Sequence, residues 1–179
     1  MILLVPIEFP SAEELGRLRR LLADRFRSLV QISSLALDPL PFLDPKRRQY
    51  YSSAILEALA RERPASAAKV LAVTRLDLFI PILTFVFGEA QLSGPCAVVS
   101  SFRLDNSYYG LPPDRDLMEQ RLFKEAVHEL GHTSGLLHCR HPECVMHTST
   151  YVEEIDLKAS EFCPNCQKLL AESPKPSPD

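Results

Sequence analysis

A chain of 179 residues with 20 basic and 23 acidic side chains, net charge −3 and pI about 6.0, has no general attraction for nucleic acid or an anionic membrane. Its 46% hydrophobic and 24% charged content is that of a soluble globular protein, one domain or one domain with a small appendage. No apolar run approaches the ~20 residues of a membrane span, and MILLVPIEFP lacks a basic flank and soon meets Glu8, so it reads as a strand and not a signal peptide.

Met1 to Ile7 is a short apolar run that predicts a buried strand. Ser11 with Glu14 forms a capping-box pattern, and Leu15, Leu18, Leu22 and Phe26 then recur at helical spacing, so a helix is expected from Ser11 to about Arg27. Leu29 to Leu37 reads as a second strand. Asp38 to Pro45 holds three prolines and reads as a loop. Gln49 to Ala60 predicts a helix with Tyr51, Ile55 and Leu59 on one face, and Lys69 to Thr74 a third strand. Strand, helix, strand, helix, strand argues for a largely parallel α/β sheet with helical crossovers. Thr84 to Phe87 and Ala97 to Phe102 read as two further strands with no room for a helix between them. One of these is expected antiparallel at the sheet edge, where an extended peptide can add; alternatively, Phe85 and Phe87 only pack the core. Asp105 to Pro113 is a turn-rich loop. Asp114 is placed to cap a helix running to about Leu136, and the tail ESPKPSPD is expected to be disordered.

Near the end of that long helix stands HELGHTSGLLH, His128 to His138. His128 and His132 share one helix face about a turn apart, and two neutral imidazoles at that spacing can grip one Zn²⁺. Glu129 is offset round the helix, placed to act on a metal-bound water and not on the metal. A helix cannot return a third ligand to its own ion. Gly135 accepts the left-handed conformation that ends a helix, after which the chain can deliver His138. This is the longer, metzincin form of the zinc motif.

Cys139 and Cys144 form one pair and Cys163 with Cys166 another, separated by 18 residues. Two such pairs suggest a structural four-thiolate Zn²⁺ site that staples a tail too short for its own core. Free buried thiols or a redox C-x-x-C are the other readings. A nucleic-acid-binding ribbon is disfavoured because Glu143, Glu153, Glu154, Asp156 and Glu161 outweigh the nearby basic residues. Cys96 reads as a core residue, and His141 and His147 as surface histidines. Cysteines used for metal point to a reducing compartment, so a cytoplasmic protein is expected.

With these residues in view, the chain resembles the archaemetzincins, a subgroup of the metzincin zinc metallopeptidases. His128, Glu129, His132, Gly135 and His138 match the zinc motif. Cys139, Cys144, Met146, Cys163 and Cys166 match the subgroup's added pattern, and Asp77-Leu78-Phe79, Phe85 to Ala90 and Lys124-Glu125 are also similar. The resemblance implies a zincin-like, mixed five-stranded sheet with a backing helix and an active-site helix. It also implies a small irregular C-terminal subdomain carrying Met146 as its Met-turn, and two Zn²⁺ per chain. The expected division is 1–138 for the metzincin-like part, 139–171 for the four-cysteine part and 172–179 for the tail. The expected activity is peptide-bond hydrolysis with Glu129 as general base and His128, His132 and His138 as metal ligands. A closed site, filled by His141, His147 or a carboxylate or covered by the 105–113 loop, would instead make it a zinc protein that binds peptides without cleaving them. Peptides or proteins are the expected partners, with no nucleic acid, no membrane and a monomeric state.

Overall fold

A computed structural model describes residues 1–9 and 11–172. The sheet is built round Ile2–Ile7 (β1), whose residues alternate between two cores: Ile2 and Leu4 face one layer, Leu3, Val5 and Ile7 the other. An apolar residue at nearly every position is what a strand covered on both faces requires. Ala12–Phe26 (α1) follows, with the Ser11 side chain accepting from the Glu14 amide at 3.2 Å. The Glu14 carboxylate turns to Arg75 (2.7 Å), so only that half of the expected box forms. The strand expected at Leu29 to Leu37 is limited to Val30–Ile32 (β2). The Ser33 amide still reaches Leu4 O, but the Ser33 hydroxyl then accepts from the Leu35 amide, a local bond that ends the ladder.

The proline-rich segment carries a 3₁₀ turn at Leu40–Phe42 and then Leu43–Asp44 (β3). Gln49–Tyr51 is strand (β4) and not helix, because the Gln49 amide is buried and donates to Asp77 and to Thr84 O, both at 3.0 Å. The helix itself runs Ser52–Glu62 (α2), and Lys69–Thr74 is strand (β5) as expected. Leu78–Phe79 (β6) pairs with β4 in a small second sheet. The edge strand falls at Gly88–Ala90 (β7), later than Thr84 to Phe87. Phe85 and Phe87 are stacked edge-on with centroids 5.2 Å apart, and Val86 makes only an isolated bridge to Leu78. Cys96–Ser100 (β8) completes the main sheet, ordered β2-β1-β5-β8-β7, parallel throughout except where β7 pairs with β8. The fold is thus mixed α/β with an antiparallel edge, as the chain order implied.

Arg115–Thr133 (α3) is capped by Asp114, whose carboxylate accepts from the Leu117 amide at 2.9 Å. Met118, Leu122, Ala126 and Leu130 join α1 and the sheet in one core, while α2 supplies Ile55 and Leu59 to the other. Arg121, Glu125, His128 and Glu129 of α3 are buried as well. The helix therefore lacks a clean polar face, because residues after 138 cover the side away from the sheet. These residues form Val152–Leu157 (α4) and Pro164–Glu172 (α5), two short helices where irregular chain was expected. Arg121 forks onto the Asp156 carboxylate with two bonds of 2.7 Å, tying α3 to α4. Glu172 closes α5, and the rest of the expected disordered tail lies outside the described residues. Among the described residues no helix is long and apolar enough to cross a membrane.

Met146 is fully buried, and a Cβ placed on Gly131 of α3 would collide with its sulfur and lie 3.2 Å from Phe162. Gly131 is thus what lets the C-terminal segment close against the helix. Gly131→Ala is expected to lower unfolding stability by about 1–3 kcal/mol through overpacking, read from the denaturation midpoint. An unchanged midpoint would mean that Met146 repacks freely.

Candidate active site

His128 Nδ1 lies 2.8 Å from Val145 O and His132 Nδ1 lies 2.7 Å from Leu136 O. A carbonyl only accepts, so each Nδ1 carries the proton and each Nε2 keeps its lone pair. The two Nε2 atoms face each other at 3.0 Å. After α3 the chain reverses through a Schellman turn. Gly135 has φ +91°, its amide donates to His132 O at 2.9 Å, and the Leu136 amide donates to Gly131 O at 3.1 Å. The Lys69 ammonium donates to Thr133 O and to Gly94 O, holding the last helical carbonyl against the turn between β7 and β8. The turn returns His138, whose ring centroid is 5.3 Å from that of His128 and 4.9 Å from that of His132. The three ligating nitrogens lie within 4.8 Å of one another. Burial lowers the pKa of all three, most of all for His128, which favours the neutral, donating form.

Glu129 sits beside this cluster, buried and pushed well above the usual carboxylate range by burial first and then by the charge of Glu125. A Cβ on Gly88 would lie 2.7 Å from Glu129 Cγ and Oε1 and 2.8 Å from Val98 O. The β7 backbone therefore presses directly on the Glu129 side chain, and the immobile Val98 carbonyl blocks any retreat. Gly88→Ala is expected to displace Glu129 and cut peptide turnover by about 10²-fold while zinc stays bound, and an assay with full rate and full metal would refute this. Glu89 accepts from Ser53 at 2.7 Å and from Ser52, which joins β7 to α2.

The histidines stand in a cleft of about 620 Å³. One wall is Thr84 to Ala90, including β7, and the other is Thr148 to Thr150. Phe87 is both core and cleft wall, so it does more than pack the core, although the edge strand itself lies at Gly88–Ala90. Among the described residues neither His141 nor His147 joins the cluster; His147 Nδ1 donates to Cys139 O at 2.9 Å. Asp105, Ser107, Tyr108 and Pro113 of the turn-rich loop line a separate cavity of about 450 Å³ at the start of α3, not the histidine cleft.

The four cysteine sulfurs also gather within 4.8 Å. Cys139 Sγ is 3.7 Å from Cys163 Sγ, and Cys144 Sγ is 3.7 Å from Cys166 Sγ. These separations exceed a disulfide of about 2.05 Å and match the edge of a tetrahedron with Zn–S near 2.3 Å, about 3.8 Å. The Cys163 amide points at Cys144 Sγ (3.3 Å) and the His141 amide at Cys139 Sγ (3.4 Å), as thiolates need. The Cys163 thiol is lowered to about 7, chiefly by the Cys166 amide, whereas burial pushes the Cys144 and Cys166 thiols up. Both donor sets fit Zn²⁺ in type: neutral imidazoles in one, clustered sulfurs in the other. Cys96 is buried apart from them, in the sheet.

A helix that offers two imidazoles to one ion, with a glycine turn adding a third, is the device of the zincin metallopeptidases, and the mixed sheet with its antiparallel edge is their scaffold. The model of Peptidase family M54 matches residues 42–172. The archaemetzincins of Methanocaldococcus jannaschii and Pyrococcus furiosus are 44% and 43% identical over 124 and 127 residues, covering 69% and 70% of this chain and 67% and 66% of theirs. The alignment thus spans about two thirds of those relatives. A crystal structure of a zinc-dependent peptidase from Methanocorpusculum labreanum superposes with a TM-score of 0.86 at 30% identity, covering 95% of this chain and 100% of that one. The chain belongs to peptidase family M54, the archaemetzincins.

Gly88 and Glu125 lay in segments the sequence reading matched but were given no role there, and it passed over Gly131, Lys69 and Lys158, whose buried ammonium lies 2.9 Å from Glu125 Oε1. The glycine inside H-E-x-x-H was a usable signal, since a helix interior disfavours glycine without a packing reason. Lys158 gave none, because an isolated lysine in a polar stretch reads as surface.

Proposed function

We propose that this chain hydrolyses peptide bonds, with His128, His132 and His138 holding a catalytic Zn²⁺ and Glu129 as the general base. The observation that carries the reading is three neutral-favouring imidazoles converging in a cleft, with a buried carboxylate one residue along. Zinc held there would supply a Lewis acid able to polarise a carbonyl and to lower the pKa of water to about 7. Glu129 takes the proton of the attacking water at its carboxylate and passes it to the leaving amine nitrogen. The β7 backbone and the Thr148 to Thr150 wall orient an extended peptide between them. Residues 139–171, stapled by a second Zn²⁺ on Cys139, Cys144, Cys163 and Cys166, hold Met146 under Gly131 and keep the third imidazole in place; residues 1–138 supply the sheet and the active-site helix. Metal analysis beside a peptide-library assay, with and without chelator, tests the reading. Two zincs per chain and chelator-sensitive cleavage are expected. Two zincs without cleavage would favour a peptide-binding protein instead.

A further inference from the structure

We propose that Lys158 is a positioning residue for the zinc-binding histidines, acting through the turn Val145 to His147. The inference rests on the reading of His128, His132 and His138 as zinc ligands and adds what holds them in register. Each carbonyl of that turn is engaged. Val145 O accepts from His128 Nδ1 at 2.8 Å, Met146 O accepts from the Cys139 amide at 2.8 Å, and His147 O accepts from the Lys158 ammonium at 3.1 Å. The His147 ring adds a bond from Nδ1 to Cys139 O at 2.9 Å. The first ligand and the residue after the third are thus both fastened to one short turn. Lys158 in turn fastens that turn to α3 upstream of the ligands: its Nζ lies 2.9 Å from Glu125 Oε1, and Glu125 precedes His128 by nearly one helical turn.

Lys158 itself is held in place. It directly follows α4, and the chain around it is bonded back to the turn: the Ala159 amide donates to Glu143 O and the Val145 amide to Glu161 O, each at 2.9 Å. The Lys158 side chain is 1% exposed and that of Glu125 5%. Burying such a pair gives little stability over two apolar side chains of similar volume, because desolvation offsets the attraction. An ammonium does what a methionine cannot: it offers three N–H groups, so one cation can face a carboxylate and donate to a carbonyl at once. Without it, the His128 ring would have to hold the turn that is meant to hold the ring. The turn would then be free to shift along α3, and His138 would move with Cys139 relative to the other two ligands. Groups that orient metal ligands from outside the coordination shell are typically worth about 10–100-fold in metal affinity.

The test compares the full chain, loaded with zinc, as wild type, as Glu125→Gln, and as Glu125→Met combined with Lys158→Met. Zinc retained against graded chelator gives the affinity of the histidine site. Mass-mapped alkylation of Cys139, Cys144, Cys163 and Cys166 reports the sulfur site, and a denaturation midpoint reports stability. Glu125→Gln takes away the counter-charge but leaves the ammonium its N–H groups. Its midpoint is expected to fall by about 10 °C, with histidine-site affinity within about threefold of wild type. The double variant buries no charge, so its midpoint is expected to stay within about 3 °C of wild type. It lacks the donor to His147 O, so its histidine site is expected to lose about 10–100-fold in zinc affinity while the four cysteines stay protected. A merely structural pair would make affinity follow stability, and this crossed pattern does not. Wild-type affinity in the double variant, affinity falling in step with the midpoint, or a midpoint as low as that of Glu125→Gln overturns the positioning role and leaves the zinc reading standing. A wild-type chain that holds no metal beyond the sulfur-bound ion overturns both.

Discussion

Glu129→Gln protein is expected to keep two zincs per chain and to lose turnover, with kcat falling by about 10²–10⁴-fold, the usual worth of a general base. The substitution is nearly isosteric. It leaves the Glu129 position packed against Gly88, where there is no spare room. It also leaves His128 Nδ1 on Val145 O and His132 Nδ1 on Leu136 O, so the donor nitrogens keep their aim. What it removes is the carboxylate oxygen able to accept a proton beside the three imidazoles. The measurement pairs metal content with peptide cleavage on one sample. A full rate would dismiss Glu129 as base, while loss of metal would recast it as part of the ion's own shell.

The second large effect is expected at the sulfurs. Cys166→Ser should release one zinc per chain and open residues 139–172 to protease. Structural zinc in small modules is worth on the order of 10–16 kcal/mol of apparent binding energy at neutral pH, and Cys166 is a buried member of its cluster. The opening is expected to stop short of α3, because Val145, Met146, Ile155 and Phe162 still offer apolar surface to the main core. Mass mapping of the first cleavage sites checks this. Unchanged protease resistance together with one zinc would show that apolar packing alone holds the segment.

Much of this architecture could be read from the chain because the signals were local. β1 and β5 are continuous apolar runs, and α1 and α3 open on Ser11 and Asp114, whose side chains accept the expected amides. The gathering of His128, His132 and His138 needs only a helix and a glycine able to take φ +91°. What escaped was set by distant partners. Gln49 to Tyr51 looks helical alone, yet Asp77 and Leu78, far along the chain, draw it into a strand. The edge strand moved to Gly88–Ala90 because the register of β7 is chosen by β8 and by the close approach of Glu129, not by the phenylalanines before it. The inward turn of Lys158 toward Glu125 likewise depends on residues 33 apart in the chain, a pairing that no periodicity reports.

His138 and Cys139 are neighbours in the chain, so one peptide unit joins the nitrogen cluster to the sulfur cluster. With metal in both clusters, occupancy of either would order the backbone that the other needs, and the two affinities would be thermodynamically linked. Such linkage is reciprocal: whatever factor sulfur loading adds to the histidine affinity, histidine loading returns to the sulfurs. Metal titration of this protein should therefore show cooperative uptake in place of two independent binding curves.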